Sequence, residues 1–444
     1  MTKDLDVFGI GIGPFNLGLA ALLWQHKQIQ SLFVDKKAQF WWHRGMLIRH
    51  AKLQVPFLAD LVTLADPTHS LSYLNYLHQH GRLYKFYYYA DFLIPRAEYN
   101  HYCQWATNHL QMCQFGIEVN NLIYDNKKQR FVISGLSSNH HRVEFTAKNI
   151  VVGIGTKPSM PSFASEFKNC NNVIHSSDFL HHKSHLEQQK VVTVIGSGQS
   201  AAECVLALLS SLDEYKISQG YEVKWVTRSS GFYPMEYSKL GQECFTPTYM
   251  NHFQQLDKST RLEVAKSQGH LYRGISFSTI ADIYDVLYEN TVAGQKSGLS
   301  LHSDCEITAM THSNDLNKLN IHYRHNNLNV SASFHTDAVV FATGYTHQWP
   351  SWFENLKNDI IKVDAEGDYI INKDFSIARK DSGKGKIFLQ NSEIFQQGVG
   401  SPDLGLGAYR NAVIVNQLLG YDFYKIHQQT AFQSYQPPSD SFQK

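Results

Sequence analysis

Two stretches of this chain repeat one plan: an apolar run, a glycine loop, then a helical pattern. The first reads LDVFGIGIGPFNLGLAALLWQ. Val7 to Ile10 is a short apolar strand, and Leu17, Ala20, Ala21 and Trp24 recur at helical spacing. The second reads KVVTVIGSGQSAAECVLALLS, with β-formers from Val191 to Ile195 and a helical pattern from Ser200 to Leu209. Each leads into another strand, SLFVD ending at Asp35 and YEVKWVTR ending at Arg228. Two such βαβ units predict an α/β fold with two Rossmann-like dinucleotide-binding domains. At 444 residues the chain is too long for one ordinary core. The expected division is 1–180 for the first part of one nucleotide domain and 181–335 for the other, which carries a small mainly helical substrate region near 235–295. Residues 336–444 then return to the first domain and end in a closing helix from Gly405 to Leu419. Ser434 to Lys444 is polar and reads as a frayed end.

Bulk properties exclude several classes. A formal net charge of +1 argues against nucleic acid or an anionic membrane as partner. The densest basic cluster, Lys127 to Arg130, reads as a solvated turn. No apolar run approaches the roughly 20 residues of a membrane span. The six cysteines are widely spaced without a C-x-x-C, so neither a zinc site nor a dithiol pair is expected, and the metal expectation is none. The opening MTKDLDVFGIGIG enters a strand at once, and a cytoplasmic location is the default.

Gly11, Gly13 and Asn16 stand at the three places of a G-x-G-x-x-G fingerprint, with Pro14 opening the helix. The glycines let the backbone approach a pyrophosphate, and the helix start offers free N–H groups. Asn in the third place departs from the pattern. Asp35 lies where an acid binds ribose hydroxyls. The second loop has Gly196, Gly198 and Ala201, and its following strand ends in Arg228 rather than an acid. A cation there suits a 2′-phosphate, hence NADPH. Two nucleotide loops with a later Ala342-Thr343-Gly344 turn form the layout of a flavoprotein that takes electrons from a pyridine nucleotide.

The segments GIGIGPFNLGLAAL, FWWHRGM, LQVPFLADLVTLADPTHSLSYLNYL, IPRAEYNHYCQW, GSGQSAAE and FATGY, in this order, resemble the bacterial N-hydroxylating flavin monooxygenases of siderophore synthesis. That family includes lysine N6-, ornithine N5- and diamine N-monooxygenases. The resemblance implies FAD, NADPH and O2 as cofactors and co-substrate, a primary amine turned into a hydroxylamine through a C4a-hydroperoxyflavin, and a homo-oligomer, with tetramers usual. It places Gly11, Gly13, Pro14, Asn16, Asp35, Trp42 and His43 at FAD, and Gln54 near the flavin ring. Lys157, Gly196, Gly198, Gln199, Ser200 and Arg228 fall at NADPH. Gln54 and His43 are the catalytic candidates, the first to hold the nicotinamide amide and the second to shuttle a proton.

In amino-acid-hydroxylating relatives one segment reads F-L-K-D-L, and its lysine pairs with the substrate carboxylate. Here it reads Phe57-Leu58-Ala59-Asp60-Leu61. An unpaired buried charge costs about 3–5 kcal/mol, so a carboxylate entering this site loses its partner at that cost. The relatives' N-Y-S reads Gly274-Ile275-Ser276 here. Both departures point to a substrate without a carboxylate: an aliphatic diamine, putrescine or cadaverine. Phe57, Ala59, Gln242, Glu243, Gly274 and Asp403 are the expected substrate residues. Pro56 and Leu58 join Phe57 as wall candidates, and Asp60, Glu243 and Asp403 are the acids available to the far ammonium, an ordinary cap or surface acid being the commoner fate of any one of them. The competing readings are an ornithine or lysine hydroxylase in which Lys52 replaces the missing lysine, a flavin enzyme oxidising sulfur or a ketone, and a redox sensor without turnover.

Overall fold

The computed structural model describes residues 4–313 and 318–438. The first glycine unit forms strand Asp4–Ile10, helix Pro14–Leu23 and strand Ser31–Asp35. Asp4–Ile10 is the centre of a seven-stranded sheet and pairs in parallel with Ser31–Asp35 on one side and Arg142–Val152 on the other. The 11-residue strand Arg142–Val152 does double duty. Its first half pairs antiparallel with Arg130–Ser137, and its end holds Ile387–Leu389 in parallel. The Lys127–Arg130 cluster falls at the Ile117–Asp125 to Arg130–Ser137 connection, where Asp125 Oδ1 accepts from the N–H groups of Lys127 and Lys128.

The second unit forms strand Val191–Ile195, helix Gln199–Leu209 and strand Glu222–Val226. These strands belong to a five-stranded, all-parallel sheet in the order Leu299–His302, Glu222–Val226, Val191–Ile195, Ala338–Phe341, Val173–His175. Buried on both faces, its strands read as apolar runs. A three-stranded antiparallel sheet, Cys305–His312, Leu319–His325 and Val330–Thr336, leads back into Ala338–Phe341. Two Rossmann-like α/β layers result.

Helices occupy most of 239–290, among them Pro247–Phe253, Lys258–Ser267 and Phe277–Asn290. The closing helix spans Gly407–Leu419, preceded by one 3-10 turn at Leu404–Leu406. The expected fraying from Ser434 is corrected as far as residue 438. The Tyr435 ring stands edge-on to Tyr249 at 4.8 Å, so an aromatic anchor docks the tail where polarity suggested solvent. Residues 439–444 of that expectation lie outside the described residues. Among the described residues, no helix is long and apolar enough to cross a membrane.

Candidate active site

The two glycine loops have the same geometry. Gly11 has φ +88°, and a Cβ there would meet Gly153 O at 2.4 Å. Gly196 has φ +145°, and a Cβ there would meet Ala342 O at 2.4 Å. Only glycine fits either turn. The Ala342-Thr343-Gly344 turn thus closes the second loop as Gly153 closes the first. Gly13 and Gly198 are the N-caps of their helices, and neither helix has a side-chain cap. A Cβ at either glycine would meet nothing within 4 Å. Each helix start is therefore an open cradle of unsatisfied N–H groups that fits a pyrophosphate.

Asn16 explains its departure from the fingerprint. Its buried amide donates to Gly11 O at 2.8 Å and Ile10 O at 3.3 Å, tying the turn to the strand end. Pro14 occupies the first helical turn, where its missing N–H costs nothing. Asp35 Oδ2 accepts from Ile12 N at 2.9 Å, which sets the acid over the first loop. Gln199 and Ser200 open the second helix, half-buried. Arg228 lies two residues beyond its strand, exposed and without an ion pair among the described residues. Lys157 is exposed on the short strand Lys157–Pro158, paired with Tyr345–Thr346.

Three distant motifs converge at Trp42 and His43. Trp42 N donates to Asn100 Oδ1 at 2.9 Å, and its ring packs on Tyr99 at 5.1 Å. His43 has left-handed backbone (φ 50°), a conformation that strains a residue bearing a Cβ. Its ring lies 5.8 Å from Tyr345, which also packs against His175 at 5.3 Å. His43 is exposed, and close packing on the inner side of the ring, then the charges of Arg96 and Lys37, lower its pKa. The lowered pKa favours the neutral imidazole at pH 7, the form that can accept a proton.

Gln54 crosses between the two halves. Its Nε2 lies 3.4 Å from Ser276 Oγ and 3.5 Å from Met235 Sδ. The Tyr237 hydroxyl is buried beside Ser276 and Gln54 without a well-aligned hydrogen bond, and burial raises its pKa. Ser276 N donates to Gln199 Oε1 at 2.7 Å. Gly274 sits two residues before Ser276. A Cβ there would meet Met235 N at 2.6 Å, so the missing side chain lets two backbones touch.

The structure sorts the expected substrate residues. Ala59 is 5% exposed and closes a turn onto Pro56 O. Pro56 is exposed and Leu58 half-buried. The Phe57 ring packs among Tyr73, Phe86 and Phe92 and lines a cleft of about 440 Å³. Asp60 is corrected. Both its oxygens are taken, by Val62 N, Thr63 N, Thr63 Oγ1 and Tyr73 N at 2.6–2.9 Å, so it is a turn former. Glu243 accepts from Phe432 N and Gln433 N at 2.9 Å each and anchors the tail. Gln242 donates to Glu236 O at 2.7 Å. Asp403 Oδ1 accepts from Gly405 N at 2.7 Å. Its other oxygen makes no hydrogen bond among the described residues. Burial raises its pKa to about 6, and the nearby Arg410 works against that rise. A small cavity lined by Pro14, Phe15, Asp60, Leu61, Leu404 and Gly407 joins the first loop to the start of the closing helix.

Sequence reasoning missed Tyr237, Arg96 and Glu203. Arg96 and Glu203 lie inside quoted motifs, but nothing local pairs two residues 107 apart.

Comparison with known proteins accords with this arrangement. The rhizobactin siderophore biosynthesis protein RhbE of Rhizobium meliloti is 48% identical over 98% of this chain and 96% of its own length. A putrescine N-hydroxylase of Shewanella oneidensis is 39% identical over 97% and 84%. The FAD-bound crystal structure of DfoA, a cadaverine monooxygenase of the desferrioxamine pathway of Erwinia amylovora, superposes with a TM-score of 0.92 at 36% identity, covering 99% of this chain and 100% of that one. The family model for L-lysine 6-monooxygenase/L-ornithine 5-monooxygenase matches residues 3–347. With both nucleotide loops, the Trp42-His43 segment and Gln54 inside that span, the chain belongs to the L-lysine 6-monooxygenase/L-ornithine 5-monooxygenase family.

Proposed function

We propose that this protein is an FAD-dependent monooxygenase that uses NADPH and O2 to N-hydroxylate a primary aliphatic diamine, putrescine or cadaverine, for siderophore biosynthesis. The observation that carries the substrate is the buried Ala59 where amino-acid hydroxylases have lysine. The alternative cation, Lys52, pairs with Asp91 at 2.6 Å. The putrescine and cadaverine activities named for the Shewanella and Erwinia relatives support the same reading.

We read the seven-stranded layer as the FAD domain and the five-stranded layer as the NADPH domain, with the helical region over 239–290 completing the substrate site. The Gly11–Asn16 loop would hold the FAD pyrophosphate and Asp35 its ribose. The Gly196–Ser200 loop and Arg228 would hold NADPH. Bound flavin, reduced by NADPH, supplies the activated oxygen. The protein's own part is to deliver a neutral amine. An alkyl amine has a pKa near that of lysine, about 10.4, so neutralising it at pH 7 costs about 4–5 kcal/mol. Removal of water and a nearby acceptor supply that change. The far ammonium needs a carboxylate, and of the three acids considered Asp403 alone keeps an oxygen without a hydrogen bond. Gln54, reaching Ser276 and Met235, is placed to hold an amide over the reacting face and exclude water.

Oxygen uptake measured with NADPH, with and without putrescine or cadaverine, tests the reading when the product is assayed as hydroxylamine. Amine-stimulated uptake with stoichiometric N-hydroxydiamine supports it. Uptake that yields only H2O2, or products oxidised at sulfur or a ketone, refutes it.

A further inference from the structure

We propose that the buried Arg96–Glu203 ion pair is a positioning device that sets Gln54 over the nicotinamide site. The proposal rests on the reading of the second loop as the NADPH site. Arg96 opens helix Arg96–His109 on one side of the cleft, and Glu203 lies in helix Gln199–Leu209 on the other. The pair is bidentate, with Nη1 to Oε2 at 2.8 Å and Nη2 to Oε1 at 2.7 Å. Both side chains are nearly closed to water, at 11% and 5% exposure. A fork of this kind fixes orientation as well as distance.

Each end of the pair leads to Gln54 by a different route. On the Arg96 side the route is backbone. Arg96 N donates to Ala51 O and Leu53 N donates to Ile94 O, both at 2.9 Å, with Lys52 bridged to Pro95. Gln54 follows directly on this paired segment. The guanidinium also donates to Met46 O at 2.9 Å, pinning the chain that leads into it. On the Glu203 side the route is side chains. Glu203 Oε1 accepts from Gln199 Nε2 at 2.9 Å, Gln199 Oε1 accepts from Ser276 N at 2.7 Å, and Ser276 Oγ faces Gln54 Nε2 at 3.4 Å. The two routes close a ring around the mouth of the second glycine loop. One ion pair therefore fixes both the backbone and the amide of Gln54.

A double-mutant cycle on NADP⁺ binding tests this, read by titration of the oxidised holoenzyme and by NADPH-driven flavin reduction without O2 or amine. Neither readout depends on the amine, so a failure of the diamine reading leaves it intact. Glu203→Gln keeps shape and removes charge. The expected result is that Glu203→Gln and Gln54→Ala each weaken NADP⁺ binding about tenfold, and that the double variant is no more than about twofold weaker than either, because residues of one network are not additive. Arg96→Lys, which keeps charge but loses the fork, should fall between wild type and Arg96→Met. If Glu203→Gln does not fold, Ser276→Ala takes its place in the cycle with the same expectation. NADP⁺ affinity within twofold of wild type, or losses that multiply in the double variant, would overturn the proposal.

Discussion

Lys52 Nζ lies 2.6 Å from Asp91 Oδ2, and its ammonium also stands 5.5 Å from the centre of the Tyr89 ring. This is the one lysine between Ala51 and Val62. The side-chain bond from Asp91 is the main cause of a raised Lys52 pKa. The cation is charged and already engaged. A substrate carboxylate held by Lys52 would first have to displace Asp91. Lys52→Ala should leave the ratio of kcat/KM for putrescine over lysine within about fivefold, since a part-exposed pair contributes at most about 1 kcal/mol. A collapse of that ratio through changed lysine kinetics would show Lys52 at work on substrate.

Ala59→Lys returns to this site the cation that amino-acid hydroxylases carry. Beside a diamine's far ammonium it meets like charge. Diamine kcat/KM should fall by about tenfold or more, each tenfold being about 1.4 kcal/mol. Ala59 is 5% exposed, so circular dichroism must first show the variant folded. Diamine kinetics unchanged in a folded variant would remove position 59 from the pocket.

Arg228 is exposed and free of ion pairs among the described residues, so its removal should not disturb the fold. Hydrogen bonds to a charged group contribute about 1.5–3 kcal/mol. Arg228→Ala should therefore raise KM for NADPH by about tenfold to a hundredfold and leave KM for NADH unchanged. Steady-state kinetics with both nucleotides check this, and equal changes would place the 2′-phosphate elsewhere.

His43 bears on pH. Its folded pKa, about 4, lies below the unfolded value of about 6.5. The folded state thus refuses a proton that the unfolded state accepts. The resulting loss of stability is absent above about pH 7 and grows as pH falls below about 6.5, and the exposure of His43 keeps it small. Between pH 6 and 8 the rate of flavin reduction should show no inflection owed to His43. The same profile is expected for His43→Gln, and an inflection near pH 6.5 that disappears in that variant would contradict the neutral imidazole.

The paired nucleotide layers were legible because a glycine loop between strand and helix leaves a local mark. Gly11 and Gly196 carry the positive φ that the pattern implies. The turn role of Asp60 was legible. Thr63 three residues on is a turn signal, and the carboxylate does accept from Val62 N and Thr63 N. The ring partners of Phe57 were not, since Phe86 and Phe92 lie on a segment whose approach is tertiary. The antiparallel strands from Ile117 to Val152 escaped for a related reason. Their pattern is broken by a register shift between Val119 and Asn121 and by Gly135. The ring from Arg96 to Gln54 spans separations of 107 and 222 residues and exists only once the two layers meet.

The most direct test of the account is a four-substrate comparison of NADPH-coupled hydroxylamine formation with putrescine, cadaverine, ornithine and lysine. A missing carboxylate partner at about 3–5 kcal/mol predicts that the better diamine exceeds both amino acids by at least about a hundredfold in kcat/KM. Efficient hydroxylation of ornithine or lysine, with both diamines poor, would contradict it.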